Sequence, residues 1–264
     1  MIKIFVYQLD EKNADILLDK MSLLSLKENE KVLKYKYDKD RALSLAGRLM
    51  FFCFANRYKD DCYKDINYVS ANDLKDIVSD AFKNFNKVSL DDFREEYVSD
   101  IEISYTENGK GYIEGDDNLY YSISHSKDTC VCAIADVPVG IDIQEKRKVR
   151  ENVAKRFFHD KDNEYIYEAK DDENEFIDRF IKVWTVKESY IKLTGRGIAG
   201  GMNYFYVDFQ NNKILDESEQ YTTIHSEIIK SPKALQTEGS KDFSVEFKEI
   251  VIAKYFYCYV SYKV

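Results

Sequence analysis

The sequence predicts a mixed α/β (α+β) fold made of two similar α/β halves of about 120 residues each. Alternating apolar and polar residues, typical of strands, occur at the start of the chain and again in a cluster near its middle. Longer stretches with helical spacing of apolar residues follow each of these regions. The turn-forming sequence from Thr106 to Gly111 separates the halves, so we expect domains at residues 1–105 and 106–264.

The first half is expected to open with a strand from Ile2 to Leu9. Helical spacing follows from about Asp15 to Leu26 and from about Glu28 to Arg57. A shorter helix is expected from Asp76 to Phe85, within a polar stretch. The chain contains only two prolines, so few residues interrupt these elements.

The second half is expected to alternate strands, helices and strands. Its second, longer helix should end at Gly195-Arg196-Gly197, because glycine favours the left-handed conformation that closes a helix. The expected strands are Tyr120 to Ser124, Cys130 to Asp136, Val139 to Gln144, Tyr204 to Phe209, Tyr221 to Ile229, Ser244 to Val251 and Lys254 to Tyr262, and the expected helices are Val149 to Phe158 and Asn174 to Thr194.

The composition is that of a globular domain, and it argues against some functions. Hydrophobic residues make up 44% and charged residues 33% of the 264 residues, which excludes a disordered chain. A net charge of −9 argues against nucleic-acid binding, which needs a basic surface. The five cysteines form no Cys-x-x-Cys pair, so we expect neither a zinc site nor a disulfide framework.

The start of the chain and its apolar runs indicate a cytoplasmic protein with no membrane contact. The chain begins with an expected strand and no signal peptide is recognised. The longest apolar run, near Leu49 to Ala55, is too short to cross a bilayer.

Two oxygen-bearing side chains share one face of the expected strand from Val139 to Gln144. Asp142 and Gln144 lie opposite Ile141 and Ile143 and are roughly 6–7 Å apart along the strand. Such a pair can bind Mg²⁺, which takes oxygen ligands and fills its remaining positions with water and substrate phosphates. The alternative interpretation is an exposed strand face beside a turn.

An acid and a base are neighbours on the longer helix of the second half. Glu188 and Lys192 are four residues apart, so their side chains meet on the helix surface. A solvated ion pair is the alternative interpretation of this spacing. A carboxylate on a strand and a Glu/Lys pair on a helix could together hold a divalent metal and a polyphosphate. The apolar stripe that faces the core is Phe176, Phe180, Val183 and Trp184.

Two further clusters each have two interpretations. Ser124-His125 at a strand end invites comparison with hydrolases, but no Gly-x-Ser-x-Gly sequence is present and adjacent residues cannot form a triad. The histidine could instead donate a hydrogen bond to a phosphate. The basic residues from Lys146 to Arg150, with Lys155-Arg156, could form a solvated helix face or a docking surface for an acidic partner.

These sequences together resemble a known enzyme family. Ile123-Ser124-His125-Ser126, Val139-Gly140-Ile141-Asp142-Ile143, Ala154-Lys155-Arg156-Phe157-Phe158 and Trp184-Thr185-Val186-Lys187-Glu188-Ser189-Tyr190-Ile191-Lys192 occur in that order. In order and spacing they resemble the 4′-phosphopantetheinyl transferases of the surfactin-synthetase-activating type. The resemblance is continuous from about Lys110 to Phe209 and weaker from Met1 through Gly47.

The resemblance implies a pseudo-dimer of two α/β subdomains, related by a pseudo-twofold axis, with the active site in the cleft between them. It implies transfer of the phosphopantetheine arm from coenzyme A to a serine of an acyl or peptidyl carrier protein. Adenosine 3′,5′-bisphosphate would be released, and Mg²⁺, or Mn²⁺ in its place, would be the cofactor. The carriers of nonribosomal-peptide or polyketide synthesis are the expected partners, and a monomer is expected because one chain holds both halves.

The resemblance also assigns roles to individual residues. Asp142, Gln144 and Glu188 would ligate the metal, and Lys192 would neutralise charge on the leaving group. Glu188 could take the proton of the carrier serine, directly or through a water molecule, and Asp162 is a second candidate for this base. Ser124 and His125 would hold the 3′-phosphate of coenzyme A. The remaining residues expected to contact coenzyme A are Lys31, Ser44, Lys110 and Lys187.

Several positions depart from the pattern of the family. Gln144 stands where glutamate is frequent, so one metal ligand lacks charge. Glu28 and Leu43 stand where basic residues occur, and Gly111 stands where proline usually follows the lysine. Gln144 keeps open a second interpretation, a binding module for coenzyme A or carriers without catalysis. A serine hydrolase built on Ser124 is a third interpretation.

Overall fold

The structure is a computed structural model that describes residues 1–63, 85–197, 201–217, 245–250, 252 and 256–264. Its strands are β1 (Ile2–Gln8), β2 (Asn86–Val88), β3 (Ile103–Tyr105), β4 (Gly111–Ile113), β5 (Tyr120–Ser126), β6 (Thr129–Ala135), β7 (Val139–Glu145), β8 (Phe205–Asp208), β9 (Lys213–Asp216), β10 (Val245–Glu249) and β11 (Phe256–Lys263). Its α-helices are α1 (Ala14–Leu18), α2 (Leu26–Leu33), α3 (Asp38–Phe54), α4 (Glu151–Phe157), α5 (Asp160–Tyr167) and α6 (Glu173–Thr194). Short 3₁₀ helices lie at Glu11–Asn13, Asp19–Leu23, Ala55–Arg57, Leu90–Asp92 and Glu95–Tyr97.

Two main sheets form the centre of the protein. The first has the strand order β2-β1-β6-β5 and the second has the order β7-β11-β10-β9-β8, while β3 and β4 form a separate pair. Strand β1 pairs in parallel with β2, and the neighbours β1–β6, β5–β6 and β7–β11 are antiparallel. Strands β5 and β7 are therefore edge strands of different sheets.

The two sheets pack against each other and helices cover their outer faces. One core cluster lies between the sheets and joins β1 and β6 to β7 and β11, as Ile4, Val131, Ile141 and Val260 illustrate. The remaining apolar side chains of the first sheet pack against α3, and those of the second sheet pack against α6. This alternation of buried faces follows from the two-residue period of a strand, since each sheet has apolar residues on both sides.

The predicted α/β class is confirmed, and several element bounds change. The predicted helix from Glu28 to Arg57 is two helices, because the chain is extended at Tyr37 and Asp38 and Asp40 start a new helix there. Ser25 caps α2 by accepting a hydrogen bond from the amide of Glu28 at 3.4 Å. The predicted helix near Asp76 and the predicted strand near Tyr221 lie outside the described residues.

The division at residue 105 and the pseudo-twofold relation of the halves stay predictions. Strand β1 of the first segment pairs along its whole length with β6 of the second, so the first sheet takes strands from both sides of that boundary. The pairing of β1 with β6 could not be predicted from the sequence, because long-range contacts rather than local patterns determine which strands pair in a sheet.

The buried thiols of Cys130 and Cys132 lie in β6, and all five cysteines are free. In the part of the chain that is described, no helix has the length and apolar character needed to cross a membrane.

Candidate active site

Helix α6 lies directly over β7, and glycine makes this contact close. A Cβ atom at Gly140 would overlap the carbonyl oxygen of Ser189 and the amide nitrogen of Leu193. The hydroxyls of Ser189 on α6 and Ser261 on β11 are 2.6 Å apart beside this contact. Gly140 therefore lets the helix backbone rest on the strand two residues before Asp142.

Caps at both ends set the length of α6. Asp172 accepts hydrogen bonds from the amides of Asn174 and Glu175 at 3.0 and 3.1 Å. Gly195 ends the helix in the left-handed conformation, with φ 72°, as the sequence predicted. The last turn of the helix therefore lies at a fixed place, and this turn carries Lys192.

Asp142 is buried and receives three hydrogen bonds. Its Oδ1 accepts from the hydroxyl of Ser124 and from Nζ of Lys192, each at 2.7 Å. Its Oδ2 accepts from Nε2 of Gln144 at 2.9 Å. The strand acid and the helix base of the sequence prediction are thus in contact, and the amide oxygen of Gln144 is turned away from Asp142.

Glu188 lies in the field of the same groups. Burial and, to a smaller extent, the negative charge of Asp142 raise the pKa of Glu188, and Lys192 opposes them, so that the pKa is about 7. Two carboxylates that repel each other when ionised are a favourable setting for a cation between them.

The donor set fits a hard divalent cation. Among the described residues, no group of three or more His, Cys, Asp or Glu side chains could hold a metal by itself. Mg²⁺ often binds through one or two carboxylates and takes its other ligands from water and substrate phosphates. Asp142 and Glu188 supply two such carboxylates, and an oxygen from Gln144 would require its amide to turn over.

The raised pKa of Glu188 predicts that metal affinity depends on pH. A cation competes with the proton on Glu188, so affinity should rise with pH until about 7 and level off above that. We expect affinity for Mn²⁺, used as a probe, to be about tenfold lower at pH 6 than at pH 8. Titrations at the two pH values measure this, and Glu188→Gln should remove the difference. A wild-type affinity that does not change between pH 6 and 8 would contradict the assignment.

A cavity of about 290 Å³ opens beside this cluster. His125 and Lys192 lie in its wall, and so do Lys110, Ser44 and Arg48. Most of these side chains are cationic or can donate hydrogen bonds, which suits an anionic ligand. The cavity and the Asp142 cluster share Lys192, so one ligand could reach both.

The side chains of Ser124 and His125 lie on opposite faces of β5. Adjacent residues of a strand point to opposite faces. The hydroxyl of Ser124 is hydrogen-bonded to Asp142, whereas His125 faces the cavity. Burial and the positive charge of Lys192 lower the pKa of His125, which favours its neutral form. In this arrangement the two side chains cannot both contact one phosphate, as the resemblance implied.

Lys110 lies in the cavity wall but its ammonium group is engaged. Its Nζ donates to the carbonyl oxygens of Lys192 and Leu193 at 2.6 and 2.7 Å, at the end of α6. A cation there complements the free carbonyl groups of a helix end. Burial lowers the pKa of Lys110 to about 8. Its first role in the structure is to hold the last turn of α6.

Lys31 and Ser44 lie near a polar group that sequence reasoning missed. Buried Glu28 accepts hydrogen bonds from the hydroxyl of Tyr105 at 2.6 and 2.8 Å and pairs with Nε of Arg48 at 3.1 Å. Arg48 also donates to the hydroxyl of Ser44 at 2.7 Å. Nζ of Lys31 lies 3.8 Å from the centre of the Tyr105 ring. The available signal for Arg48 was its spacing of four residues from Ser44 on one helix.

Asp162 and Lys187 are not brought to the site. They form an ion pair of 2.6 Å in which neither side chain is more than 1% exposed. Lys187 also donates to the carbonyl oxygens of Met202 and Phe205, and Asp162 accepts from the amide of Val207 at 2.9 Å. Lys187 follows Val186 on the core-facing side of α6, so its ammonium group points into the protein and away from Glu188.

The basic segment from Lys146 to Arg156 lies mainly on the surface. Arg147, Lys148 and Arg150 precede α4 and are exposed, and Lys148 is 92% exposed. Phe157, at the end of α4, is also 41% exposed. Beside it, a shallow pocket of about 140 Å³ is lined by Arg156, Phe157, Trp184 and Met202, among others.

Comparison with known families finds a match over part of the chain. Residues 138–253 match the model of the 4′-phosphopantetheinyl transferase superfamily. This segment contains β7 and α6, and therefore Asp142, Glu188 and Lys192. The resemblance stated from the sequence motifs is confirmed over this segment.

Individual relatives point to the same class. Over 102 residues, 39% of this chain and 41% of the relative, the chain is 40% identical to 4′-phosphopantetheinyl transferase gsp of Aneurinibacillus migulanus. Over 109 residues, 41% and 48% of the two chains, it is 37% identical to 4′-phosphopantetheinyl transferase Sfp of Bacillus subtilis. Over 105 residues, 38% and 44%, it is 32% identical to 4′-phosphopantetheinyl transferase HetI of a Nostoc species. The chain thus spans less than half the length of each of these relatives.

Proposed function

We propose that this protein is a Mg²⁺-dependent 4′-phosphopantetheinyl transferase that modifies a serine of an acyl or peptidyl carrier protein. One observation carries the proposal: Asp142 on β7 contacts Lys192 on α6, and Glu188 lies in the field of both. These residues lie in the segment that matches the superfamily model. Coenzyme A is the proposed donor and adenosine 3′,5′-bisphosphate the proposed second product.

The proposed reaction is a displacement at phosphorus. The carrier serine oxygen forms a bond to the phosphorus that bears the pantetheine arm, and the bond to the leaving phosphate oxygen breaks. Phosphoryl transfer needs mainly positioning and neutralisation of negative charge. Lys192 supplies a cation that Asp142 holds in place, and in our proposal it stabilises the charge that develops on the leaving group.

Glu188 is the base that the structure favours. A general base works best when its pKa lies near the working pH; without a metal the pKa of Glu188 is raised to about 7, and a bound cation would lower it from there. The serine proton would pass to its carboxylate. Asp162, the other candidate from the sequence, is buried in its ion pair with Lys187, so we leave it out of the proposal.

Asp142 and Glu188 are the residues that would hold Mg²⁺. When bound, the ion supplies positive charge to the pyrophosphate oxygens of the substrate. Gln144 would stabilise Asp142 by the hydrogen bond that it makes in the structure. Mn²⁺ takes oxygen ligands as well and serves as a probe for the same site.

The cavity beside Lys192 is the proposed place of the nucleotide end of coenzyme A. His125 and Ser44 contribute polar groups to its wall, and Arg48 adds a guanidinium held by Glu28. Arg48 lies in the cavity wall, where its guanidinium could donate to a phosphate. Calorimetric titration with coenzyme A, with Mg²⁺ and then with excess EDTA, tests this. We expect binding in Mg²⁺ that weakens in EDTA, and no binding in Mg²⁺ would contradict the proposal.

The carrier protein is proposed to dock beside α4. The exposed cations Arg147, Lys148 and Arg150 suit an acidic partner, and the pocket beside Phe157 offers apolar contact. Because one chain supplies both sheets and all of these groups, we propose a monomer. Carriers of nonribosomal-peptide or polyketide synthesis in the cytoplasm are the proposed substrates.

Charge reversal tests the docking surface. We expect Lys148→Glu combined with Arg150→Glu to weaken carrier binding about tenfold, because two attractive charges become repulsive. Affinity for coenzyme A should change by less than about twofold. Lys59→Glu, an exposed lysine on the first half, is the control. Equal losses for carrier and coenzyme A, or an equal effect in the control, would contradict the assignment.

A binding module without catalysis is the second candidate function. The hydrogen bond from the amide of Gln144 to Asp142 favours it, since this amide occupies an oxygen that a metal would use. Such a protein would bind coenzyme A and leave every carrier unmodified, with or without Mg²⁺.

A further inference from the structure

The two sheets meet at strands that share no β-ladder. In the described part of the chain, β5 pairs with β6 and β7 pairs with β11, which leaves one edge of each strand facing the other. An edge strand has a row of amide groups that need partners, and a buried amide left without a partner destabilises the fold.

Three serine side chains of β5 satisfy the amides of β7. The hydroxyl of Ser122 accepts from the amide of Ile141 at 3.0 Å. The hydroxyl of Ser124 accepts from the amide of Ile143 at 3.4 Å, and that of Ser126 accepts from the amide of Glu145 at 2.9 Å. Alternate serines on one strand therefore match alternate amides on the next.

The period of the two strands explains this match. Residues two apart on a strand point to the same side, so Ser122, Ser124 and Ser126 all face β7. The residues between them, Ile123 and His125, point to the other side and line the cavity, whose wall Ser122 also reaches. One strand thus carries the joint between the sheets on one face and part of the cavity wall on the other.

Ser124 differs from the other two serines in one contact. It also donates a hydrogen bond to Oδ1 of Asp142 at 2.7 Å. A hydroxyl has a single proton, so Ser124 cannot at the same time donate to a phosphate. Its partners in the structure make it a support for Asp142 and the β7 backbone.

We propose that Ser122, Ser124 and Ser126 form a hydroxyl seam that joins the two sheets, and that Ser124 is a positioning residue for Asp142. The seam fixes the distance between β5 and β7, and Ser124 fixes the orientation of the carboxylate within it. The positioning role rests on the proposed function, because it assumes that Asp142 binds the metal. The seam itself does not depend on the metal.

Alanine variants of the three serines separate these roles. Ser122→Ala and Ser126→Ala each remove a seam contact and leave Asp142 untouched, so they are matched controls for Ser124→Ala. Hydrogen exchange of single amides, measured by NMR without metal, reports on the seam. Each variant should speed exchange at its own partner, Ile141, Ile143 or Glu145.

Binding of Mn²⁺ without coenzyme A reports on the positioning role. Loss of a group that orients a metal ligand typically lowers affinity about 10- to 100-fold. We expect about a tenfold loss for Ser124→Ala and less than about a twofold change for either control. Ser124→Cys keeps the size but donates weakly, and should behave like Ser124→Ala. It replaces that variant if the alanine form does not fold.

Three results would overturn parts of the proposal. Equal Mn²⁺ affinity for the Ser124 variants and the controls would remove the positioning role alone. Unchanged amide exchange in all three alanine variants would remove the seam. Absence of Mn²⁺ binding by the wild-type protein would overturn the proposed metal site and, with it, the positioning role of Ser124. The seam would still be tested by amide exchange, which does not depend on the metal.

Discussion

Asp142→Asn and Glu188→Gln are each expected to lower phosphopantetheine transfer by about 100- to 1,000-fold while the fold is kept. Both substitutions preserve the size of the side chain and remove one negative charge. Asp142→Asn also removes the charge that holds Lys192. The loss should therefore fall on the chemical step, and kcat should decrease more than KM increases.

The control for these variants is a carboxylate on the same helix that faces solvent. Glu175, in the first turn of α6, is exposed, and Glu175→Gln should leave transfer within about twofold of wild type. Circular dichroism and thermal unfolding check the fold of each variant. Transfer within about threefold of wild type in either Asp142→Asn or Glu188→Gln would contradict the assignment of that residue.

Lys187→Met is expected to destabilise the protein by about 3–5 kcal/mol, because it leaves the Asp162 carboxylate buried without its partner. Burial already lowers the pKa of Lys187 to about 8 and raises the pKa of Asp162, so the pair is held in a site that disfavours charge. The unfolding midpoint should fall by roughly 10 °C for a chain of this size.

The double variant Lys187→Met with Asp162→Asn should recover most of the lost stability, because no charge is then left unpaired. Lys182→Met, on the same helix but half-buried, is the matched control and should shift the midpoint by no more than about 2 °C. Denaturant and thermal unfolding of the four proteins measure these differences. If Lys187→Met unfolds at the same temperature as Lys182→Met, the pair does not have the structural role described here.

The sequence predicted the centre of the candidate site because local periodicity was enough there. Asp142 and Gln144 lie two residues apart on a strand, and Glu188 and Lys192 lie one turn apart on a helix. Both spacings place the side chains on one face whatever the rest of the fold does. The contact between the strand and the helix could not be predicted in this way. The structure shows it, with the backbone of α6 lying close against Gly140.

Other parts of the site depended on contacts between distant residues. Glu28 meets Arg48 and Tyr105, which lie 20 and 77 positions further along the chain. Lys187 lies within the Trp184–Lys192 motif and Asp162 shortly after the Ala154–Phe158 motif, so the resemblance assigned both of them to the active site. In the structure they instead form an ion pair in the core. No local pattern marks such pairs, because they depend on which elements pack together.

The sequence alone could have predicted that the side chains of Ser124 and His125 point in opposite directions. Two adjacent residues on a predicted strand should face opposite ways, and this rule alone separates their side chains. The resemblance to the family led to their joint assignment. The hydroxyl seam needed the structure, because the spacing of Ser122, Ser124 and Ser126 does not reveal which strand lies beside them.

Intact-mass spectrometry of an apo carrier protein tests the central claim most directly. The carrier is incubated with this protein, coenzyme A and Mg²⁺, and in parallel with excess EDTA or with the Asp142→Asn variant. The proposed function predicts a mass gain of one phosphopantetheine group in the first reaction and none in the other two. Carriers that keep their mass, mixed with a protein that demonstrably binds coenzyme A, would contradict the transferase and favour the binding module.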